Sequence, residues 1–122
     1  VAKTILIVDD SASLRQVVSI ALKGAGYDVI EARDGQDALT KLNGQRIHLI
    51  ISDVNMPNMD GISFVREAKQ LPAYKFTPVI MLTTESQESK MAEGKAAGAK
   101  AWVVKPFQPA QMLDAVSKLI AP

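Results

Sequence analysis

Short, largely apolar runs punctuate this chain at five places: Thr4–Asp9, Asp28–Ala32, Leu49–Asp53, Pro78–Thr83 and Ala101–Lys105. Continuous rather than alternating apolar residues mark strands buried on both faces, as in a parallel sheet with helices above and below. Segments of helical period follow each run. Leu14, Val17, Val18, Ala21 and Leu22 recur at helical spacing, with Gly24 and Gly26 as the stop. Ala38, Leu39 and Leu42 mark a shorter second helix ended by Asn43-Gly44. Phe64, Val65, Ala68 and Leu71 give a third, closed by Pro72. Met112, Leu113, Val116, Leu119 and Ile120 give a fifth, with Pro109 suited to its first turn.

The fourth helix, about Ser86 to Ala97, has an apolar face made mostly of alanine and carries Gly94 inside it. An internal glycine costs about 1 kcal/mol relative to alanine, so this element is expected to be the least firmly held. Five alternations of strand and helix predict an α/β fold, a doubly wound, flavodoxin-like (βα)5 domain spanning residues 1–122.

Four of the runs end on residues suited to phosphate or metal chemistry: Asp9-Asp10, Asp53, Thr83 and Lys105. In an open α/β sheet ligands bind at the carboxyl edge, where all five side chains would gather. Bringing Asp9, Asp10 and Asp53 together makes the first and third strands neighbours. With right-handed crossovers, the strand order 2-1-3-4-5 satisfies this.

Composition narrows the classes. The 122 residues are 48% hydrophobic and 22% charged, as expected for one globular domain. Fourteen basic and 13 acidic residues are scattered along the chain and leave a net charge of +1, so no nucleic-acid partner is expected. No membrane span or signal peptide is visible, and a cytoplasmic location is expected. The absence of cysteine excludes disulfides and thiolate metal sites. Neither a dinucleotide-binding glycine pattern nor a P-loop occurs, and His48, the only histidine, is expected at or near the surface.

Three carboxylates within a few ångströms repel one another by about 4 kcal/mol per pair at an effective dielectric near 20. A cation relieves that repulsion, and an all-oxygen donor set favours Mg²⁺, with Mn²⁺ as a substitute, over zinc. Asp10 or Ser11 capping the first helix would account for one acid but not for a second and third. Met56, Met59 and Met81 are expected to be packing residues.

Asp9-Asp10, the stretch Ser52-Asp53-Val54-Asn55-Met56-Pro57-Asn58-Met59-Asp60-Gly61, Thr83-Thr84-Glu85 and Trp102-Val103-Val104-Lys105-Pro106-Phe107 together resemble the receiver domains of two-component response regulators, of the stand-alone chemotaxis type. The resemblance covers essentially the whole chain. It implies that Asp53 accepts a phosphoryl group from a histidine kinase. Mg²⁺ would be held by the Asp10 and Asp53 carboxylates, the Asn55 backbone carbonyl and, through water, Asp9. Lys105 would contact the phosphoryl oxygens, Thr83 would swing to donate a hydrogen bond, and Asn55, Thr84 and Glu85 would tune access and hydrolysis. A cis bond between Lys105 and Pro106 is implied, as is a monomeric state.

The same resemblance implies a switch in which Trp102 follows Thr83 and reshapes the face made by the fourth helix, fifth strand and fifth helix. The flagellar motor switch is one candidate output partner, and a phosphatase would end the signal. Trp102 stands where many relatives have tyrosine or phenylalanine, Thr84 where alanine or glycine is common, and the start of the fourth helix is less basic than in motor-binding regulators. Two other classes compete. One is a small Mg²⁺-dependent phosphohydrolase with an aspartyl nucleophile, for which the first strand reads Asp9-Asp10-Ser11 instead of DxDx[TV]. The other is a constitutive binding module.

Overall fold

The computed structural model describes residues 2–84 and 89–122. Its order of elements is β1 (Thr4–Val8), α1 (Ala12–Gly24), β2 (Asp28–Ala32), α2 (Gly35–Lys41), β3 (Leu49–Asp53), α3 (Gly61–Gln70), β4 (Val79–Thr83), α4 (Met91–Ala97), β5 (Ala101–Val104) and α5 (Pro109–Ser117). The strands pair in parallel in the order β2-β1-β3-β4-β5, the order that the acidic residues require. Predicted and observed strands differ by at most one terminal residue. Asp9, Pro78 and Lys105 lie just outside their strands.

Successive residues of the central strands feed two separate cores. Leu6, Val8, Ile50 and Met81 face the layer that includes Ala38, Phe64, Val65 and Ala68 of α2 and α3. Ile5, Ile7, Leu49, Ile51, Ile80 and Leu82 face Val18, Leu22, Met112 and Val116 of α1 and α5. Both faces of β3 and β4 are therefore dry, which is why their sequences are apolar without alternation.

Side-chain caps set the helix starts. Ser11 accepts from the Leu14 N–H at α1, Asp34 from Asp37 at α2 and Asp60 from Ser63 at α3. The cap of α1 is Ser11, not Asp10, which leaves Asp10 exposed at the edge of the site. Pro109 occupies the first turn of α5, and Gly26 and Gly44 take positive φ where the chain leaves α1 and α2.

Helix α4 differs from α1, α3 and α5. Its seven residues bury only Gly94 fully, and Lys90 at its start makes no side-chain cap. The expected start at Ser86-Gln87-Glu88 lies outside the described residues. Little apolar area holds α4 to the sheet, so backbone amides of Lys95 to Ala97 are expected to exchange with deuterium faster than those in the middle of α1, α3 or α5. Equal protection in native-state hydrogen exchange would show that α4 is as firmly docked as the other three.

Candidate functional site

Strand ends, not a local motif, assemble this site. β1 and β3 are neighbours with Val8 beside Ser52, so the next residue on each side projects a carboxylate at the same sheet edge. Carboxylate oxygens of Asp9, Asp10 and Asp53 all lie within 4.8 Å of one another. Asp9 is fully buried, Asp53 is 6% exposed and Asp10 is exposed. The cluster therefore has a closed inner end and one open side.

Two of the acids are held alike. Asp9 accepts the Ser11 N–H on Oδ1 at 2.8 Å, and Asp53 accepts the Val54 N–H on its own Oδ1 at 2.8 Å. The remaining oxygen of each meets the same ammonium: Lys105 Nζ lies 3.0 Å from Asp9 Oδ2 and 3.1 Å from Asp53 Oδ2. Lys105, placed at this edge by its strand end, thus bridges both acids. The Lys105-Pro106 bond is cis.

Burial pushes the Asp53 carboxyl above its ordinary range; the charge of Lys105 works against this and that of Asp9 adds to it. For Lys105, burial would lower the ammonium pKa, but its hydrogen bond to Asp9 and the charges of both acids outweigh that and hold it raised. One cation thus balances two buried carboxylates, and Asp10 adds a third negative group with no basic partner among the described residues. An all-oxygen cluster with an open side and a charge deficit fits a hard divalent cation.

Thr83 closes the next strand. It is 1% exposed, pairs in register with Val104, and its carbonyl accepts the Lys105 N–H at 2.6 Å. The structure therefore brings Asp9, Asp10, Asp53, Thr83 and Lys105 to one edge. Asn55 is exposed two residues beyond Asp53, and Thr84 lines a hollow of about 510 Å³ with Lys105, Phe107 and Leu14. Glu85 lies outside the described residues. His48 is half-buried and remote, its Nδ1 accepting the Thr4 N–H. Met81 is fully buried, and Met56 and Met59 pack against the core.

Several supporting residues have roles that only the folded chain makes visible. Arg15 on α1 donates through Nη1 to the Asp9 carbonyl at 2.6 Å and through Nε to Glu31 at 3.1 Å, tying the end of β1 to β2. Asn58, at φ 69°, donates to Asp34 Oδ2 at 2.8 Å and fastens the loop after Asp53 to the α2 cap. Gly61 packs so tightly under that loop that an added Cβ would stand 1.9 Å from the Asp53 carbonyl oxygen. Only glycine lets α3 begin there.

Trp102 is half-buried against the α2–α3 core, and its ring edge reaches α4. A Cβ on Gly94 would lie 2.3 Å from the outermost carbon of the indole. Gly94, which looked in sequence like a weak point of the helix, is the seat of the tryptophan.

The family model for the response regulator receiver domain matches residues 5–117. The chain is similar to the chemotaxis protein CheY of Bacillus subtilis, with 38% identity over 120 residues covering 98% of each. It is also similar to the phosphate regulon transcriptional regulatory protein PhoB of Pseudomonas aeruginosa, with 36% identity over 93% of this chain; the chain spans 49% of that longer relative. Among solved structures, the chemotaxis response regulator CheY4 of Vibrio cholerae superposes with a TM-score of 0.93 at 48% identity, over 98% of this chain and all of that one.

Two outcomes are expected. A carboxyl whose pKa is raised on folding favours the folded state when protonated, so its ionised form opposes folding as pH rises above the ordinary value of 3.8. Asp53→Asn is therefore expected to be more stable than wild type in urea at pH 7, the gap closing below pH 3.8. A variant less stable at pH 7 would contradict this. Gly94→Ala is expected to push the indole outward and red-shift its fluorescence while far-UV circular dichroism keeps its helical signal, because alanine favours helix by about 1 kcal/mol. An unshifted spectrum would show that the ring is not seated on Gly94.

Proposed function

The chain belongs to the response regulator receiver family, and from that membership we propose that it is a chemotaxis-type switch turned on by phosphorylation of Asp53. The observation that carries this reading is the Lys105 ammonium placed between Asp9 and Asp53 beside an open acidic cluster. Receiver domains take phosphoryl groups from histidine kinases and act on downstream targets. They are signalling proteins rather than classical enzymes, so a phosphohydrolase working on small esters is not favoured.

In the proposed reaction an Asp53 carboxylate oxygen attacks the phosphorus of a phosphohistidine. A phosphorus–oxygen bond forms as the phosphorus–nitrogen bond breaks, and the imidazole leaves with the bonding electron pair. Asp10 and Asp53 would hold Mg²⁺ with their carboxylates, Asn55 with its backbone carbonyl and Asp9 through water. Receiver domains generally bind this ion, and when bound it neutralises phosphoryl oxygens. Lys105 lies near enough to Asp53 to contact the transferred group without leaving Asp9. Water attacking the same phosphorus breaks the bond to the Asp53 oxygen, releasing inorganic phosphate and returning the free carboxylate. Thr84 and Asn55 flank that approach, and Glu85 shares the tuning role.

The signal follows from charge. Phosphorylation adds about −1.5 to −2 units and three acceptor oxygens. Lys105 already pairs with Asp53, so the new stabilisation comes from the Thr83 hydroxyl and nearby N–H groups. Hydrogen bonds to charged groups contribute about 1.5–3 kcal/mol each. Inverting a 1:99 population takes about 5.5 kcal/mol, the work of two or three such bonds. Thr83 turns inward, Trp102 leaves its seat on Gly94, and α4 shifts. The output surface is α4, β5 and α5, where a hollow of about 620 Å³ is lined by Trp102, Val104, Gln111, Asp114 and Lys118. We assign it a downstream protein such as the flagellar motor switch, with a cytoplasmic location and a monomeric resting state; among the described residues no helix is long and apolar enough to cross a membrane.

With acetyl phosphate and Mg²⁺, intact-protein mass spectrometry is expected to find one labile phosphoryl group on the wild type and none on Asp53→Asn, and Trp102 emission should change in step. Thr83→Ala should still be phosphorylated while losing most of that emission change. Labelling of Asp53→Asn, or continuous release of phosphate from simple esters far from stoichiometric phosphorylation, would overturn the assignment.

A further inference from the structure

The edge of the sheet opposite Asp53 carries a second concentration of charge. Lys69 lies in the last turn of α3, Lys75 and Phe76 lie in the connection to β4, and Lys100 immediately precedes β5. Together with Ala97 and Gly98 these residues line a hollow of about 500 Å³ that contains no acid. Phe76 is 88% exposed, with Lys75 Nζ 5.6 Å from the centre of its ring. The other side of Phe76 borders a second hollow, of about 490 Å³, that includes Arg46 and His48 and again no acid.

A structural role covers only part of this. Lys69 donates to the Thr77 carbonyl and lies across Gly98, which suits a lysine at a helix C-terminus. Lys75 and Lys100 belong to no helix, and among the described residues neither they nor Lys69 pair with a carboxylate. Burial lowers the Lys69 pKa, and the charge of Lys100 adds to that. An almost fully exposed phenylalanine sharing a hollow with three lysines that have no carboxylate partner among the described residues offers one apolar anchor inside a basic patch.

We propose that this amino-terminal edge is a second docking surface, one that takes an acidic protein segment bearing a single large apolar side chain. Charge complementarity selects the acidic segment, and Phe76 supplies the apolar anchor. A nucleic-acid strand fits less well, because the basic groups surround one ring instead of tracking a backbone. The surface lies at the far end of the strands from Asp53, with Phe76 and Lys75 in the connection between α3 and β4, outside the α4–β5–α5 face. It would tether the domain to a partner while the phosphorylation face does its separate work.

The test uses the full chain and fluorescence anisotropy at low ionic strength. The probe is a labelled glutamate-rich peptide with one central phenylalanine; its comparators are the same peptide with serine in place of phenylalanine and a single-stranded oligothymidine of equal charge. The phenylalanine peptide is expected to bind best and to lose affinity at least tenfold in 0.5 M salt, where charges are screened within a few ångströms. Phe76→Ser and the double variant Lys75→Glu/Lys100→Glu should each weaken it about tenfold or more, whereas Asp53→Asn should leave it unchanged. Phe76 and both lysines are exposed, so these changes leave the core intact. No binding at millimolar peptide, equal binding by either comparator, or indifference to the Phe76 and lysine variants would overturn the proposal.

Discussion

Everything at the carboxyl edge is arranged around one ammonium group shared by two buried carboxylates. Lys105 stands about 3 Å from an oxygen of Asp9 and of Asp53, on strands that run side by side. Without it, two acids removed from water would face each other at a cost of about 4 kcal/mol, and more as the surroundings become less polar. With it, the pair is tolerable but still one charge short, and Asp10 enlarges the deficit. A site left in that condition attracts a cation, and in the proposed function it would accept a phosphoryl group with help from one. Its electrostatic incompleteness is the property that makes it useful.

The fold exists in a form that permits this because the two cores are separate and dry. β1, β3 and β4 are clamped between α1 and α5 on one side and α2 and α3 on the other, so the strand ends are fixed points. Loops that reach the site are pinned individually: by Arg15 at Asp9, by the Asn58–Asp34 bond after Asp53, and by the close approach of Gly61. Rigidity stops at α4. There the only fully buried residue is a glycine, and what rests on it is the ring of Trp102. A firmly held acidic edge beside one lightly packed helix is the arrangement the proposed switch would need for a local change of charge to move a distant surface without disturbing the sheet.

Much of this could be read from the residues. Continuous apolar runs specify the buried parallel strands β1, β3 and β4, while the edge strands β2 and β5 are partly exposed, and polar residues at matching ends specify where ligands go, since both depend on local pattern. Family membership then agreed with the strand order that the three acids demanded. Features that depend on distance between remote segments were not legible. The second bond of Lys105 to Asp9 joins residues 96 positions apart. Gly94 reads as a helix defect until the indole is seen against it, and Gly61 as an ordinary turn until the Asp53 carbonyl is found beneath it. The basic edge around Phe76 escaped for the same reason. Its lysines are scattered in sequence and converge only where α3, the connection to β4 and the start of β5 meet.

The shared lysine and the acidic cluster are tested most directly by determining the structure of the beryllofluoride adduct grown with Mg²⁺. Beryllium bonded to an Asp53 carboxylate oxygen, Mg²⁺ on Asp10 and Asp53, and the Lys105 ammonium within hydrogen-bond distance of a fluoride is the result the account predicts. An adduct on any other side chain, a cation bound away from the three aspartates, or Lys105 turned out of the site would contradict it.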